Sequence, residues 1–109
     1  MTVGGWLVSL ALLLVSLPAE QAAPVSAERQ KGERLYLQRC ALCHSGTAPL
    51  YETYGPTLDR QLITNKGDEQ VRKTIKEGST RMPGFRYGLN DEQITNIIEY
   101  LKTRDTSRQ

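Results

Sequence analysis

The segment Cys40-Ala41-Leu42-Cys43-His44 constrains this chain more than any other feature. Two cysteines three positions apart, followed directly by a histidine, form the C-x-x-C-H pattern at which two thiols attach covalently to one haem. Each thiol adds to one vinyl group as a thioether, and the imidazole of His44 reaches the iron from one face. The motif therefore predicts a covalent haem whose iron has one axial position filled.

The second axial ligand is indicated by elimination. His44 is the only histidine, and Met82 is the only methionine besides Met1. A methionine opposite a histidine raises the reduction potential of a haem iron and fills both axial positions. Pro83 biases Met82 toward an extended conformation, and Gly84 permits a tight path after it. We therefore expect residues 81–85 to form a loop that directs the Met82 sulfur inward.

Two other readings of the cysteine pair are weaker. A four-ligand zinc site would have to recruit carboxylates, because the chain has two cysteines and one histidine. A thioredoxin-like dithiol accompanies a βαβ pattern, which this sequence lacks. Haem attachment at Cys40 and Cys43, with His44 on the iron, remains the leading interpretation.

The N-terminal residues have the features of a secretory leader. Residues 6–17 form a short apolar run that is followed by Pro18 and by small residues up to Ala27. Such a run is short for a membrane span and typical of a signal peptide, although no Lys or Arg precedes it. We predict a leader over residues 1–27, with cleavage after Ala19 or an uncleaved inner-membrane anchor as alternatives, and a periplasmic location.

Length and charge limit the rest of the chain. Removing 27 of the 109 residues leaves 82, enough for one domain over residues 28–104 and a polar tail over 105–109. A domain with so small a core usually needs a covalent cross-link or a bound group to be stable, and a haem would supply this. The net charge is +2, and it becomes +3 without Glu20 of the leader, which is too small a surplus to indicate a nucleic-acid partner.

Apolar spacing predicts helices at both ends of the domain. Asn90 and Gln93 can form a capping box, and apolar residues recur at helical spacing from Ile94 to Leu101. A first helix is expected over residues 27–41. Gly32 inside it costs up to about 1 kcal/mol against alanine, so a close helix crossing is expected there.

The middle of the domain carries one further helix signal. Val71 and Ile75 lie one turn apart between Gly67 and Gly78, which suits a short helix with a glycine at its end. Residues 45–66 are expected to form a loop with one helical turn at 57–61. No alternating strand pattern is present, so the prediction is an all-α fold of three to four short helices around one haem.

The assembled motifs resemble the class I c-type cytochromes, in particular the small bacterial monohaem type. The matching pieces, in order, are residues 32–36, the motif at 40–44, Gly55-Pro56-x-Leu58, Met82-Pro83-Gly84-Phe85, and residues 94–101. The resemblance implies the cytochrome c fold and a hydrogen bond from the free ring nitrogen of His44 to the carbonyl of Pro56. It also implies that Gly32 and Tyr36 meet the C-terminal helix near Ile97 and Tyr100.

The resemblance implies a function as a one-electron carrier rather than an enzyme. The haem c would take electrons from a dehydrogenase or respiratory complex and pass them to a terminal acceptor such as an oxidase. Two alternatives stay open: a haem c subunit of a specific dehydrogenase complex, and a haem sensor or peroxidase with a labile sixth ligand. The protein is expected to be a monomer or a subunit of a redox complex.

Five cations come from segments expected near the haem. They are Arg39, Arg60, Lys66, Arg81 and Arg86. Together they could form a weakly positive ring that steers an acidic partner at low salt, and scattered solvated charge is the alternative.

Overall fold

The computed structural model describes Met1, Gly4, residues 25–45 and residues 54–107. Within these ranges the chain is helical, with no strand, as predicted. The helices are α1 (Ala27–Arg39), α2 (Ala41–His44), α3 (Arg60–Lys66), α4 (Asp68–Glu77) and α5 (Asp91–Leu101). There are more helices than predicted, because the first segment divides at Cys40 and residues 60–66 form a helix of their own.

The predicted leader falls mostly outside the described residues, as do residues 46–53 of the predicted loop. In the part of the chain that the structure covers, no helix is both long and apolar enough to cross a membrane.

Helix α5 forms the centre of the core. Its capping box is present as predicted: the Gln93 amide donates to the Asn90 side chain at 2.8 Å, and the Asn90 amide donates to the Gln93 side chain at 2.9 Å. Ile94, Ile97, Ile98 and Leu101 are each at most 1% exposed. Burying a side chain of this size stabilises a fold by about 1.5–3 kcal/mol, so this one face anchors the domain.

Helix α1 crosses α5 at Gly32, as expected. A Cβ atom at Gly32 would overlap the carbonyl oxygen of Asn96 and lie 2.9 Å from the Cβ of Tyr100. One turn later, the Tyr36 ring packs against Tyr100 with centroids 5.5 Å apart. The absent side chain at Gly32 therefore lets the two helix backbones touch, which explains a glycine inside a helix.

Helix α3 corrects the sequence prediction. In place of one turn at 57–61, a helix of seven residues begins at Arg60. Asp59 caps it by accepting the Leu62 amide at 2.9 Å, and the Thr106 hydroxyl donates to the other carboxylate oxygen at 2.5 Å. Ile63 is buried, and Gly67 ends the helix. The prediction failed because Leu62 and Ile63 are adjacent and give no helical repeat.

Helix α4 is bounded as predicted. It lies between Gly67 and Gly78, and Val71 and Ile75 are buried one turn apart. Both glycines have positive φ, at 83° and 73°. The chain then folds back over the end of α4: the Phe85 amide donates to the carbonyl of Ile75 at 2.8 Å. This return places residues 79–85 beside the space that α1, α4 and α5 leave between them.

Candidate haem-binding site

A cavity of about 600 Å³ lies between the helices, and all five helices contribute to its wall. Ligand pockets of 300–1,000 Å³ with mainly apolar walls are typical of proteins. Here the apolar wall consists of Leu58, Leu62, Val71, Ile75, Phe85, Ile97 and Leu101. The structure brings all five predicted site residues to this cavity: Cys40, Cys43, His44, Pro56 and Met82.

The two cysteines lie at the junction of α1 and α2. Cys40 is buried and Cys43 is exposed, and both are free thiols. Their spacing places both side chains on one side of the turn, toward the cavity. Burial, with a smaller contribution from Cys43, raises the pKa of the Cys40 thiol to about 11. Burial thus favours the neutral, protonated form of the Cys40 thiol.

His44 is oriented by the backbone of Pro56. Nδ1 of the imidazole lies 2.6 Å from the Pro56 carbonyl oxygen. Because a carbonyl can only accept, Nδ1 is the donor, and in the neutral imidazole Nε2 then keeps its lone pair. Metal-binding histidines are commonly held in this way, with one ring nitrogen donating to a carbonyl and the other free for the metal.

Gly55 lies against the His44 ring, a contact that its place in the Gly-Pro pair does not by itself reveal. A Cβ atom there would lie 2.5 Å from Cε1 and 2.7 Å from Nδ1 of His44. The Gly55 amide donates to the carbonyl of Cys43 at 2.8 Å, which ties this strip of main chain to α2. The imidazole therefore lies directly against the main chain at Gly55. The sequence signal for this contact was the glycine immediately before Pro56, whose carbonyl accepts the hydrogen bond from His44.

Met82 lies in a loop on the cavity wall. Its amide donates to the Ser79 carbonyl at 3.3 Å, and the Ser79 amide donates to the Met82 carbonyl at 2.9 Å. The Met82 side chain is half-buried and packs against the hydrophobic core. The segment is thus a loop, as expected, whose backbone is closed by its own hydrogen bonds.

Three of the five predicted cations border the cavity. Arg39, Lys66 and Arg81 are the charged residues among the described wall residues, and no carboxylate joins them. Arg60 instead pairs with Asp105 at 3.2 Å, and Arg86 pairs with Glu77 at 3.9 Å. The positive ring is therefore smaller than predicted.

A second cavity, of about 310 Å³, is lined by polar side chains. It lies where the residues that follow α5 return to α3, with Asp59, Arg60 and Arg104 among its wall residues. It contains none of the predicted site residues.

The first cavity fits a haem. It has an apolar wall for the macrocycle, two thiols on one side, a histidine with a free Nε2, and a thioether on its wall. A C-x-x-C-H motif that lines such a cavity in an all-helical domain defines the class of monohaem cytochrome c domains.

Comparison with known proteins agrees with this class. The family model described as "Cytochrome C oxidase, cbb3-type, subunit III" matches residues 27–101, and the chain belongs to this family of cytochrome c domains. The chain is 27% identical over 97 residues to cytochrome c6 of Thermosynechococcus vestitus, an alignment that covers 86% of this chain and 82% of the relative.

Solved structures support the same fold. Cytochrome c6 from the diatom Phaeodactylum tricornutum superposes with a TM-score of 0.55 at 25% identity, covering 68% of this chain and 90% of the other. Cytochrome c6A from Arabidopsis thaliana gives the same TM-score and identity, covering 72% and 90%. The cytochrome c fold predicted from the motifs is confirmed.

Proposed function

We propose that this chain is a one-electron carrier that binds a single haem c. Cys40 and Cys43 form the thioether links, and His44 and Met82 ligate the iron. The contact between His44 and Pro56 carries the proposal, because it leaves Nε2 as the free ring nitrogen of a histidine on the cavity wall. When bound, the haem supplies a ferric/ferrous couple.

The chain's own residues suit electron transfer better than catalysis. With His44 and Met82 both holding the iron, no position would be open to oxygen or peroxide. The apolar wall keeps water away, and the hydrogen bond to Pro56 holds the imidazole in one orientation. The cytochrome c6 relatives support a carrier and do not favour the alternatives, a dehydrogenase subunit or a haem sensor.

A redox titration combined with carbon monoxide tests this function. The protein, matured with haem, should titrate as one wave with a one-electron slope. Its ferrous form should not bind carbon monoxide at neutral pH, because Met82 occupies the sixth position. Stoichiometric carbon monoxide binding by the wild type would contradict the carrier and favour a sensor or peroxidase.

The partners are redox proteins of the periplasm: a dehydrogenase or cytochrome complex as donor, and an oxidase as acceptor. Arg39, Lys66 and Arg81 support an acidic docking face on these partners. None of the three pairs with a described carboxylate, whereas six other cations do: Lys31, Arg60, Arg72, Lys76, Arg86 and Lys102. Arg81 lies over the Tyr54 ring, 4.2 Å from its centroid, and keeps its charge there. Cations at the cavity without a described carboxylate partner can attract an acidic surface, most strongly at low salt.

Small redox probes can measure this charge without the natural partner. We expect Arg39→Gln with Lys66→Gln to slow oxidation by the ferricyanide anion severalfold at low salt, and to speed oxidation by a cationic cobalt complex. Arg34→Gln with Lys73→Gln removes the same charge from exposed positions outside the cavity wall and is the matched control. Equal effects of the two double variants would remove the docking proposal.

A further inference from the structure

We infer that Gly78 and Gly84 are positioning residues for Met82. They allow the segment that carries the methionine to close onto the end of α4, and a methyl group at either position would displace its sulfur. The inference rests on the proposed ligation by Met82. It assigns a role at the iron to two residues that are not among those lining the cavity.

Gly78 faces the backbone of the methionine segment. A Cβ atom at Gly78 would overlap the carbonyl oxygen of Met82, lie 2.6 Å from the amide nitrogen of Gly84 and lie 2.9 Å from the carbonyl carbon of Pro83. Its φ of 73° also lies in the left-handed region that favours glycine. Any other residue here would be strained and would push directly on the main chain of Met82.

Gly84 meets α4 from the opposite direction. A Cβ atom there would lie 2.7 Å from the carbonyl oxygen of Lys76 and 2.9 Å from the carbonyl carbon and oxygen of Glu77. These are main-chain atoms of a helix, so no side-chain rotation can relieve the contact. A methyl group at Gly84 must therefore lift the methionine segment from the helix.

Hydrogen bonds show that this closure includes Met82 itself. Ser79 and Met82 exchange two backbone hydrogen bonds, of 2.9 and 3.3 Å. Farther along, the Phe85 backbone amide donates to the Ile75 carbonyl at 2.8 Å, and the Arg86 backbone amide donates to the Lys76 carbonyl at 3.2 Å. Met82 thus closes the turn that directly follows Gly78, and the segment is attached to α4 directly after Gly84.

The consequence concerns the strength of the sixth ligand. A thioether is a weak, neutral ligand, and its bond to iron depends on the protein holding the sulfur in place. Shifts of several tenths of an ångström are needed to relieve either methyl contact, and a packed segment transmits such shifts rather than absorbing them. The glycines therefore keep the iron closed to outside ligands.

Three alanine variants separate this role from ordinary destabilisation. Gly78→Ala introduces both backbone strain and a clash, and Gly84→Ala introduces the clash without positive φ. Gly67→Ala is the matched control, because Gly67 has a φ of 83° but a methyl group added there would meet no atom within 4 Å. The readouts are the weak red absorption band of the ferric protein and binding of carbon monoxide to the ferrous protein.

We expect Gly78→Ala and Gly84→Ala to lose most of the red band at room temperature and to bind carbon monoxide at least about tenfold more readily than the wild type. Gly67→Ala should melt at a lower temperature yet keep the band and exclude carbon monoxide. If a variant is unstable, a thermal melt that records the red band and the helical circular dichroism of the same sample still distinguishes loss of the ligand from unfolding. The band should disappear farther below the helix midpoint in the first two variants than in Gly67→Ala.

Two contrary results are distinguishable. The first is that Gly78→Ala and Gly84→Ala keep the red band and exclude carbon monoxide as the wild type does. This result would show that the two glycines serve stability alone, and it would overturn the inference while leaving Met82 as the ligand. A wild type without the red band would overturn ligation by Met82, and the inference with it.

Discussion

Adding one methyl group at Gly55 is expected to raise the reduction potential of the haem. In the structure the His44 ring lies against Gly55, with 2.5 Å between Cε1 and the position of the added carbon in Gly55→Ala. Ordinary carbon–carbon contacts are about 3.5–4.0 Å, so ring and main chain must separate by about 1 Å. The main chain is tied to Cys43 and continues into Pro56, so the ring is the part that yields.

The hydrogen bond that is disturbed sets an upper limit on the effect. A displacement of the ring by about 1 Å away from Pro56 takes the 2.6 Å contact between His44 and Pro56 beyond normal hydrogen-bond length. Such a bond contributes about 0.5–1.5 kcal/mol net, and if this contribution were confined to the ferric state its loss would shift a one-electron couple by about 20–60 mV. Donation by Nδ1 makes the imidazole a better electron donor and favours ferric iron, so its loss raises the potential.

The assay is a spectrophotometric redox titration of the haem-loaded wild type, Gly55→Ala and Gly88→Ala. Gly88 is the control because an added Cβ there would meet nothing closer than the Phe85 carbonyl oxygen at 4.0 Å. We expect a positive shift of the potential in Gly55→Ala of up to about 60 mV. A shift no larger than that of Gly88→Ala, or a shift of opposite sign, would refute the proposed role of the contact between His44 and Pro56.

Three further predictions concern stability. Gly32→Ala gains about 1 kcal/mol of helix propensity, but its methyl group clashes with the Asn96 carbonyl at a cost of about 1–3 kcal/mol or more. The melting temperature should therefore fall by several degrees. An increase in the melting temperature would contradict the close crossing of α1 and α5. Hydrogen bonds, first from the Thr106 hydroxyl and then from the Leu62 amide, lower the pKa of Asp59. Its charge therefore stabilises the fold above its unfolded pKa of about 3.9, and this contribution is lost as the pH falls through the lower folded pKa. Denaturant unfolding should show the advantage of the wild type over Asp59→Asn near neutral pH shrinking in strong acid, and a pH-independent difference would contradict this. Protein in which both cysteines are replaced by alanine cannot attach haem and should show much less helix by circular dichroism. Full native helix content without haem would contradict a core that depends on the bound haem.

Elements with local signals were predictable from the sequence. Helix α5 contains its own capping box and a full apolar stripe, so its start at Asp91 was evident without tertiary information. The crossing at Gly32 was also predictable, because a glycine in the middle of a helix costs stability unless another element needs the space. Helix α4 was bounded by a glycine at each end.

Elements that depend on distant residues were not predictable. The Asp59 carboxylate that caps α3 accepts a hydrogen bond from Thr106, which is 47 positions away. Arg60 pairs with Asp105, 45 positions away, and this pairing removes it from the expected positive ring. No local pattern encodes such pairs.

The candidate site divides in the same way. The motif itself indicated Cys40, Cys43 and His44, and elimination indicated Met82. The close approaches at Gly55 and Gly78 required the folded backbone. Gly55 lies against the imidazole ring and Gly78 against main-chain atoms of the methionine segment, and sequence spacing reveals neither contact.

The most direct test of the central claim is the visible spectrum of the exported, haem-loaded protein, recorded for wild type and Met82→Ala in both oxidation states. Mass spectrometry of each protein confirms that one haem is attached, so that loss of haem is not mistaken for loss of a ligand. Ligation by His44 and Met82 predicts a weak ferric band near the red end in the wild type and its absence in Met82→Ala. A wild type that lacks this band, or a Met82→Ala variant that keeps it, would contradict the account.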